Sequence, residues 1–354
     1  MSSMPDQFVF PGIPARVVFG SGTLAQIGEE VRRLGRSRAL VLSTPHQVSD
    51  AEALSGQLGD LSVGVFAEAE MHTPVAVTER AVAAYETAGA DCVVALGGGS
   101  TIGLGKAIAT RTGADQVAIP TTYAGSEMTD ILGETEEGRK TTRRDPSIRP
   151  ETVVYDVDLT LGLPAQMTVT SALNAIAHAF EALYAPDANP ISSLMAGDAI
   201  RAIRNGLPAV KASPGDKAAR AEVLYGAWLC SAALGYTTMS LHHKLAHVLG
   251  GSFGTPHAET HAILLPHTIG FNAAATDRLD TVAGLFGGNV GSGLWDFASG
   301  LGAPLRLSDL GLTEADLDRA AGIALENSYS NPRPFQEEDI RALLQAAWEG
   351  NRPD

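Results

Sequence analysis

Short apolar runs alternate with helical hydrophobic spacing through roughly the first 160 residues. Ala39–Leu42, Ser62–Phe66, Cys92–Leu96, Gln116–Ile119 and Thr152–Tyr155 are brief and mostly apolar. That is the pattern of strands buried in a parallel sheet. Between them, Leu24, Ile27, Val31 and Leu34 recur at helical spacing, residues 51–58 form a weak helical pattern, and residues 75–87 form an alanine-rich one. Repeated strand–helix units predict a doubly wound α/β sheet. Phe8–Phe10 and Ala15–Phe19 flank Pro11 and Pro14 and predict a hairpin at a sheet edge, because proline is excluded from central strands. Beyond Pro164 the strand signals fade. Helices are expected over 168–183, 191–203, 217–234, 241–249, 279–286, 314–325 and 337–348. The predicted division is an α/β nucleotide-binding domain over 1–160 and an all-helical domain over 161–354, with the active site in the cleft between them.

The densest local signal is Asp91 to Ala109. The apolar run ends in Gly97, Gly98 and Gly99, and Ser100 opens a helix running through Lys106. Glycines let the backbone turn sharply and leave no Cβ between it and a ligand. With Ser100 as helix cap, strand, turn and helix start predict a pyrophosphate site formed by free N–H groups and the helix dipole. The spacing is neither the dinucleotide fingerprint nor the ATP loop. Thr121, Thr122, Tyr123 and Ser126 follow the strand that ends at Ile119, where open α/β sheets bind ligands. Ser43 and Thr44 end an earlier strand without a carboxylate, so nothing there repels the 2′-phosphate of NADP. Residues 138–149 form the sharpest basic patch, with Lys140 and Arg144; a solvated loop and a segment folded over the sheet edge that brings at least one cation to substrate or cofactor are equally open readings.

Composition narrows the function classes. The chain has 354 residues, is 45% hydrophobic and carries a net charge of −15, which supports two cored domains and argues against nonspecific nucleic-acid binding. Cys92 and Cys230 lie in apolar runs and are expected as buried free thiols. Residues 1–7 lack a charged-then-apolar leader and no apolar run reaches membrane-spanning length, so a cytoplasmic protein without membrane association is expected.

Seven of the nine histidines lie between His178 and His267. Asn174 and His178 are four apart, as are His243 and His247, so each pair shares a helix face. His257 follows Gly254-Thr-Pro256, with His261 one turn on. His242 and His267 read as core or surface histidines; the others predict a shared polar site. His178, His243 and His257 have the nitrogens to hold zinc or iron. Asn174 is neutral and does not offset a metal charge.

These residues carry a resemblance. The chain resembles the iron-containing, group III alcohol dehydrogenases and, within them, the maleylacetate reductases. The superfamily motif G-G-G-S-x-x-D-x-x-K reads here Gly97-Gly98-Gly99-Ser100-Thr-Ile-Gly103-Leu-Gly-Lys106, with glycine at the common aspartate position, as the maleylacetate reductases tend to have. Further matches run over 120–127, 133–146, 174–184, 243–250 and 256–267. The resemblance implies a Rossmann-like parallel sheet followed by a helical domain, the dehydroquinate synthase-like architecture. In iron-dependent relatives the positions of Asn174, His178, His243 and His257 are Asp, His, His, His and hold the metal. Asn174 departs from that set, and the maleylacetate reductases share the departure and are regarded as working without added metal.

The implied reaction is reduction of the carbon–carbon double bond of maleylacetate by NADH or NADPH, giving 3-oxoadipate. His243, His178, His247 and His257 are the implied catalytic set. Tyr123, Lys140, Arg144 and Asn174 are candidates for binding the dicarboxylate. Thr44, Gly97, Gly98, Gly99, Ser100, Thr121, Thr122 and Ser126 are candidates for the cofactor, no metal is expected, and a homodimer is. The competing readings are a metal-dependent alcohol or polyol dehydrogenase and a non-catalytic nucleotide-binding module.

Overall fold

The computed structural model describes residues 7–10, 12, 15–137, 139–326 and 329–354, with Lys140 described by its backbone alone. The chain folds as two compact units, one of residues 13–163 and one of residues 164–354 together with the residues before 13.

The strands of the first unit are β1 (Arg16–Gly20), β2 (Ala39–Leu42), β3 (Ser62–Phe66), β4 (Cys92–Gly97), β5 (Asp115–Pro120), β6 (Ile131–Glu136), β7 (Arg139–Arg144) and β8 (Thr152–Asp156). Its helices are α1 (Ile27–Arg33), α2 (Val48–Leu58), α3 (Val75–Thr87) and α4 (Gly99–Thr112). One sheet runs β1-β8-β5-β4-β2-β3, parallel at every pairing. Successive strand residues point to opposite faces, and both faces are buried. Cys92, Val94 and Leu96 of β4 pack in one apolar layer with Ile27 and Val31 of α1 and Leu54 and Leu58 of α2. Val93 and Ala95 pack in the other with Val77 and Ala81 of α3 and Leu104 and Ile108 of α4. That two-sided burial is why the strands read as unbroken apolar runs.

Two expectations are corrected. Phe8–Phe10 forms no strand, so the edge hairpin is absent among the described residues. β1 pairs instead in parallel with β8, and Phe10 lies against Tyr236 with ring centroids 4.6 Å apart. The basic stretch is not a loop. Its first half is β7, paired antiparallel with β6, and Glu137 takes a left-handed φ of 48° in the turn between them.

The second unit is helical: α5 (Ala165–Tyr184), α6 (Pro190–Ala212), α7 (Lys217–Tyr236), α8 (Leu241–Phe253), α9 (His257–Ala273), α10 (Asp280–Ala283), α11 (Val290–Leu301), α12 (Glu314–Leu325) and α13 (Glu337–Glu349). Leu241, Leu245 and Leu249 on one face of α8 join Ile263 and Leu264 of α9, Leu317 and Ala320 of α12, and Ile340 and Leu344 of α13 in one core. α8 and α9 therefore come out of a packed core, which fixes the directions of the histidines on their other faces. Among the described residues no helix is long and apolar enough to cross a membrane.

Candidate active site

The glycine turn forms at the carboxyl end of β4. Gly97 has φ 155°, and a Cβ there would lie 2.9 Å from Thr101 Cβ and 3.1 Å from Gln47 Oε1. A Cβ on Gly98 would lie 3.1 Å from Thr122 Oγ1. Side chains on this turn would fill the space that glycine leaves open to a ligand. Gly98, not Ser100, is the N-cap of α4, and no side chain caps the helix. Ser100 lies in the first turn instead. The uncapped N-terminus offers its N–H groups and dipole to an anion, so these residues fit the pyrophosphate of a dinucleotide.

The hydroxyl loop packs on the same turn. Thr121 donates its N–H to the Gly97 carbonyl at 3.0 Å, and Thr121 Oγ1 accepts from Gln47 Nε2 at 3.3 Å. Gln47 was not singled out by the sequence; its only signal was its place three residues beyond Thr44, at the end of β2 beside β4. Thr44 is half-buried and Tyr123 fully buried. The Ser126 carbonyl accepts from Lys106, whose ammonium also donates to Thr129 Oγ1 at 2.8 Å and the Ile131 carbonyl at 3.0 Å. Burial draws Lys106 down to about 7, against the opposing pull of Glu127 and Asp130. This motif lysine therefore braces α4 against the 126–131 segment.

The basic ribbon is largely neutralised by its own unit. Glu134, buried, pairs with Arg111 at 2.8 Å, and Arg143 lies 3.9 Å from it. Asp130, also buried, pairs with Arg149 at 3.2 Å and Arg144 at 3.4 Å. Arg144 is thus already engaged by a carboxylate. The Lys140 side chain lies outside the described residues.

The helical unit gathers the histidines. Three i,i+4 pairs contribute: Asn174 and His178 on α5, His243 and His247 on α8, His257 and His261 on α9. Ring centroids are 4.9 Å apart for His178–His243, 6.1 Å for His243–His247, 6.5 Å for His247–His257 and 4.4 Å for His257–His261. Asn174, His178, His243 and His261 are buried, whereas His247 and His257 are exposed. The cluster thus runs from the core to the surface. Buried Asn174 Oδ1, His178 Nδ1, His243 Nε2 and His261 Nε2 lack hydrogen-bond partners, which is costly unless a ligand satisfies them.

Hydrogen bonds fix which nitrogens carry protons. Thr268 gives its hydroxyl proton to the Leu264 carbonyl at 2.9 Å, so it accepts from His242 Nδ1 at 2.8 Å. His242 Nε2 must then accept from His261 Nδ1, also at 2.8 Å. His261 Nε2 is left as an acceptor. Burial, then the neighbouring histidines, pushes His178 and His261 well below the ordinary histidine value, and His242 falls to about 3. His242 is the satisfied core histidine the sequence suggested. His267 is buried, falls to about 4 by desolvation, and stands outside these ring contacts.

A second residue that sequence reasoning missed is Glu181, fully buried on α5. Oε2 accepts from His243 Nδ1 at 2.6 Å and the Ser240 N–H at 2.9 Å, and Oε1 accepts from the His242 N–H at 2.8 Å. Ser240 is the N-cap of α8, which has no side-chain cap of its own; a carboxylate from α5 fills that place, where the helix dipole favours negative charge. Burial alone would raise the Glu181 carboxyl, but the bonds from His243 and Ser240 and the nearby histidines hold it below its ordinary value. Its signal was legible in principle: the one carboxylate of α5, a turn beyond His178 and two beyond Asn174.

The metal implied by the resemblance would draw on Asn174, His178, His243 and His257. Asn174 brings an amide in place of a carboxylate. Among the described residues no three of His, Cys, Asp and Glu are disposed to hold one ion.

Residues 14–157 match the model of the iron-containing alcohol dehydrogenases, and residues 168–348 match that of the C-terminal part of the Fe-containing alcohol dehydrogenase family. Maleylacetate reductase of Rhizobium sp. (strain MTP-10005) is 60% identical over 348 residues, covering 98% of this chain and 99% of its own. Maleylacetate reductase 1 of Rhodococcus opacus is 50% identical over 355 residues, covering 100% and 99%. The crystal structure of maleylacetate reductase from Agrobacterium tumefaciens has a TM-score of 0.96 at 59% identity, covering 99% of this chain and 100% of that one. With the glycine turn, the helical histidine cluster and matches across both units, this chain belongs to the iron-containing alcohol dehydrogenase family.

Proposed function

We propose that this chain is an NAD(P)H-dependent oxidoreductase that reduces the conjugated double bond of maleylacetate to give 3-oxoadipate in the degradation of aromatic compounds. The observation that carries this reading is the buried set Asn174 Oδ1, His178 Nδ1 and His243 Nε2, each without a partner, in a chain 60% identical to a maleylacetate reductase across 98% of its length. The α/β unit holds the cofactor: Gly97, Gly98, Gly99 and Ser100 at the pyrophosphate, with Thr121, Thr122 and Ser126 beside them and Thr44 toward the adenosine ribose. Both NADH and NADPH are accepted, because Ser43 and Thr44 present no carboxylate. The helical unit supplies the histidines.

The bound nicotinamide supplies a hydride to the alkene carbon β to the ketone. The carbon–carbon π pair moves toward the carbonyl, and the ketone oxygen becomes an enolate oxygen. His243, through a proton taken up at Nε2, and His178 are the candidates to stabilise that oxygen or to deliver the proton to the α carbon, with the exposed His247 and His257 beside them. Conjugation spreads the negative charge, so this reduction depends less on a Lewis acid than that of a simple ketone. Asn174 is neutral, so this donor set offsets a metal's charge less well than one with an aspartate, and a reaction without a resident metal is the proposed reading. Tyr123 and Asn174 are candidate contacts to the dicarboxylate. Lys140 and Arg144 remain candidates for its carboxylates, although Arg144 must share its charge with Asp130.

β1 ends the parallel sheet, and an open edge suits pairing with a second copy; a homodimer is the expected assembly. The test of the reading supplies purified enzyme with maleylacetate and each reduced nicotinamide, and in parallel ethanol or glycerol with each oxidised one. Oxidation of both reduced cofactors by maleylacetate supports it. Alcohol oxidation without maleylacetate turnover points to an alcohol dehydrogenase, and cofactor binding without turnover to a nucleotide-binding module.

A further inference from the structure

We propose that Glu181 is a positioning residue that sets the working nitrogen of His243. The proposal rests on the reductase reading for its catalytic consequence and on geometry alone for its structural content. Glu181 lies on α5, one turn beyond His178, and is fully buried. Its Oε2 stands 2.6 Å from His243 Nδ1. Two backbone N–H groups at the start of α8, from Ser240 and His242, also donate to this carboxyl. With those donors on both oxygens, the carboxyl is an acceptor, and the His243 Nδ1 must carry the proton. The neutral His243 ring then has its lone pair on Nε2, the buried nitrogen without a partner.

The carboxylate is itself held in place. Tyr184 OH lies 3.4 Å from Oε1 and accepts from Asn272 Nδ2 at 3.2 Å. Asn272 exchanges two bonds with Asn331, at 2.9 and 2.7 Å. The single Ser240 Oγ proton has two acceptors, the Ser330 carbonyl and Asn331 Oδ1, which ties the start of α8 to residues 330–331. His243 therefore cannot rotate about its ring without breaking a buried charge-assisted bond, and α5 sets its direction as well as its tautomer. Two oriented nitrogens result from independent anchors: His243 Nε2 through Glu181, and His261 Nε2 through His242 and Thr268.

The conservative probe is Glu181→Gln. Its amide keeps the shape but must place an NH2 group against either His243 Nδ1 or the backbone donors of α8. Facing His243, it donates to Nδ1 and moves the ring proton to Nε2. Nitrogen-15 NMR of histidine-labelled enzyme, taken where the His243 ring is neutral, reads the tautomer without reference to turnover. The native ring is expected to be protonated on Nδ1; a native ring protonated on Nε2 overturns the proposal before any variant is made. In folded E181Q the proton is expected on Nε2, kcat with maleylacetate is expected to fall by about a hundredfold or more, as a wrong tautomer does in a serine-protease triad, and KM and NADH affinity are expected to stay within a few-fold. Glu181→Asp keeps a carboxylate and is expected to recover part of kcat with the native tautomer. An unchanged tautomer in E181Q, or a switched tautomer with native kcat, overturns the proposal. If E181Q does not fold, E181D decides it: native tautomer with kcat above that of His243→Ala supports it, and loss of the Nδ1 proton overturns it. A failure of the reductase reading shows separately, as native enzyme with the Nδ1 tautomer and no maleylacetate turnover.

Discussion

At the scale of single residues, the proposed chemistry turns on Asn174 and His243. An aspartate at 174 would bring a negative charge beside His178; the amide keeps that part of the cluster neutral. His178, His242 and His261 are all held below the ordinary histidine range by burial first, so they are neutral rings at physiological pH. Among the described buried histidines, His243 is the one whose ring is bonded to a carboxylate. His243, whose Nδ1 proton is held by Glu181, can act as a donor only through a proton taken up at Nε2, and removing one donor to a developing oxyanion costs about 3–4 kcal/mol, a factor of roughly 10²–10³. His243→Ala is therefore expected to lose at least about two decades of turnover while it still folds and binds NADH. Near-native turnover in steady-state assays would remove His243 from the mechanism. The sequence showed the histidines through their i,i+4 spacing, but it did not single out Glu181, because its place on the face of Asn174 and His178 does not say what the carboxylate bonds. Only the packing of α5 against the start of α8 gives it a role.

At the scale of elements, the strand–turn–helix around Gly97 was legible because three local signals agree there: an apolar run, consecutive glycines and a helical pattern after them. The β6–β7 ribbon was not, because charge dominated its composition and hid the pairing of Glu134 with Arg111 and Arg143. α11 was not singled out because Gly291, Gly293 and Gly300 dilute its helical pattern, and α9 carries Pro266 in its interior. Gly103, the position where the superfamily commonly has aspartate, has a local explanation. A Cβ there would lie 2.6 Å from Thr73 Oγ1, and Thr73 itself holds a left-handed φ of 47°. Gly103→Ala must displace that strained residue, and overpacking of this kind costs about 1–3 kcal/mol. The expected result is a lower melting temperature by calorimetry; a melting temperature equal to or above the native one would show that Thr73 yields freely.

For the whole molecule, the buried neutral histidines couple stability to pH. A histidine whose folded value lies below its unfolded value of about 6.5 binds fewer protons in the native state than in the unfolded one. Its contribution is complete above about pH 6.5 and is lost as pH falls toward the folded value. For His242, at about 3, and His267, at about 4, the loss runs through the whole interval from pH 6.5 to 4. Each subtracts about 1.4 kcal/mol per pH unit there, and His178 and His261 shift in the same direction. Denaturant unfolding is expected to show clearly lower stability at pH 5 than at pH 7.5; equal stability would mean that these rings do not stay neutral in the fold.

The central claim is that this iron-containing alcohol dehydrogenase relative reduces maleylacetate with its histidine cluster and no resident metal. The most direct measurement strips the purified enzyme exhaustively with chelator and determines metal content, NADH affinity and maleylacetate turnover on the same samples. The account predicts nearly full turnover and unchanged NADH affinity at negligible metal content. Turnover that vanishes on stripping and returns in proportion to added iron or zinc would contradict it.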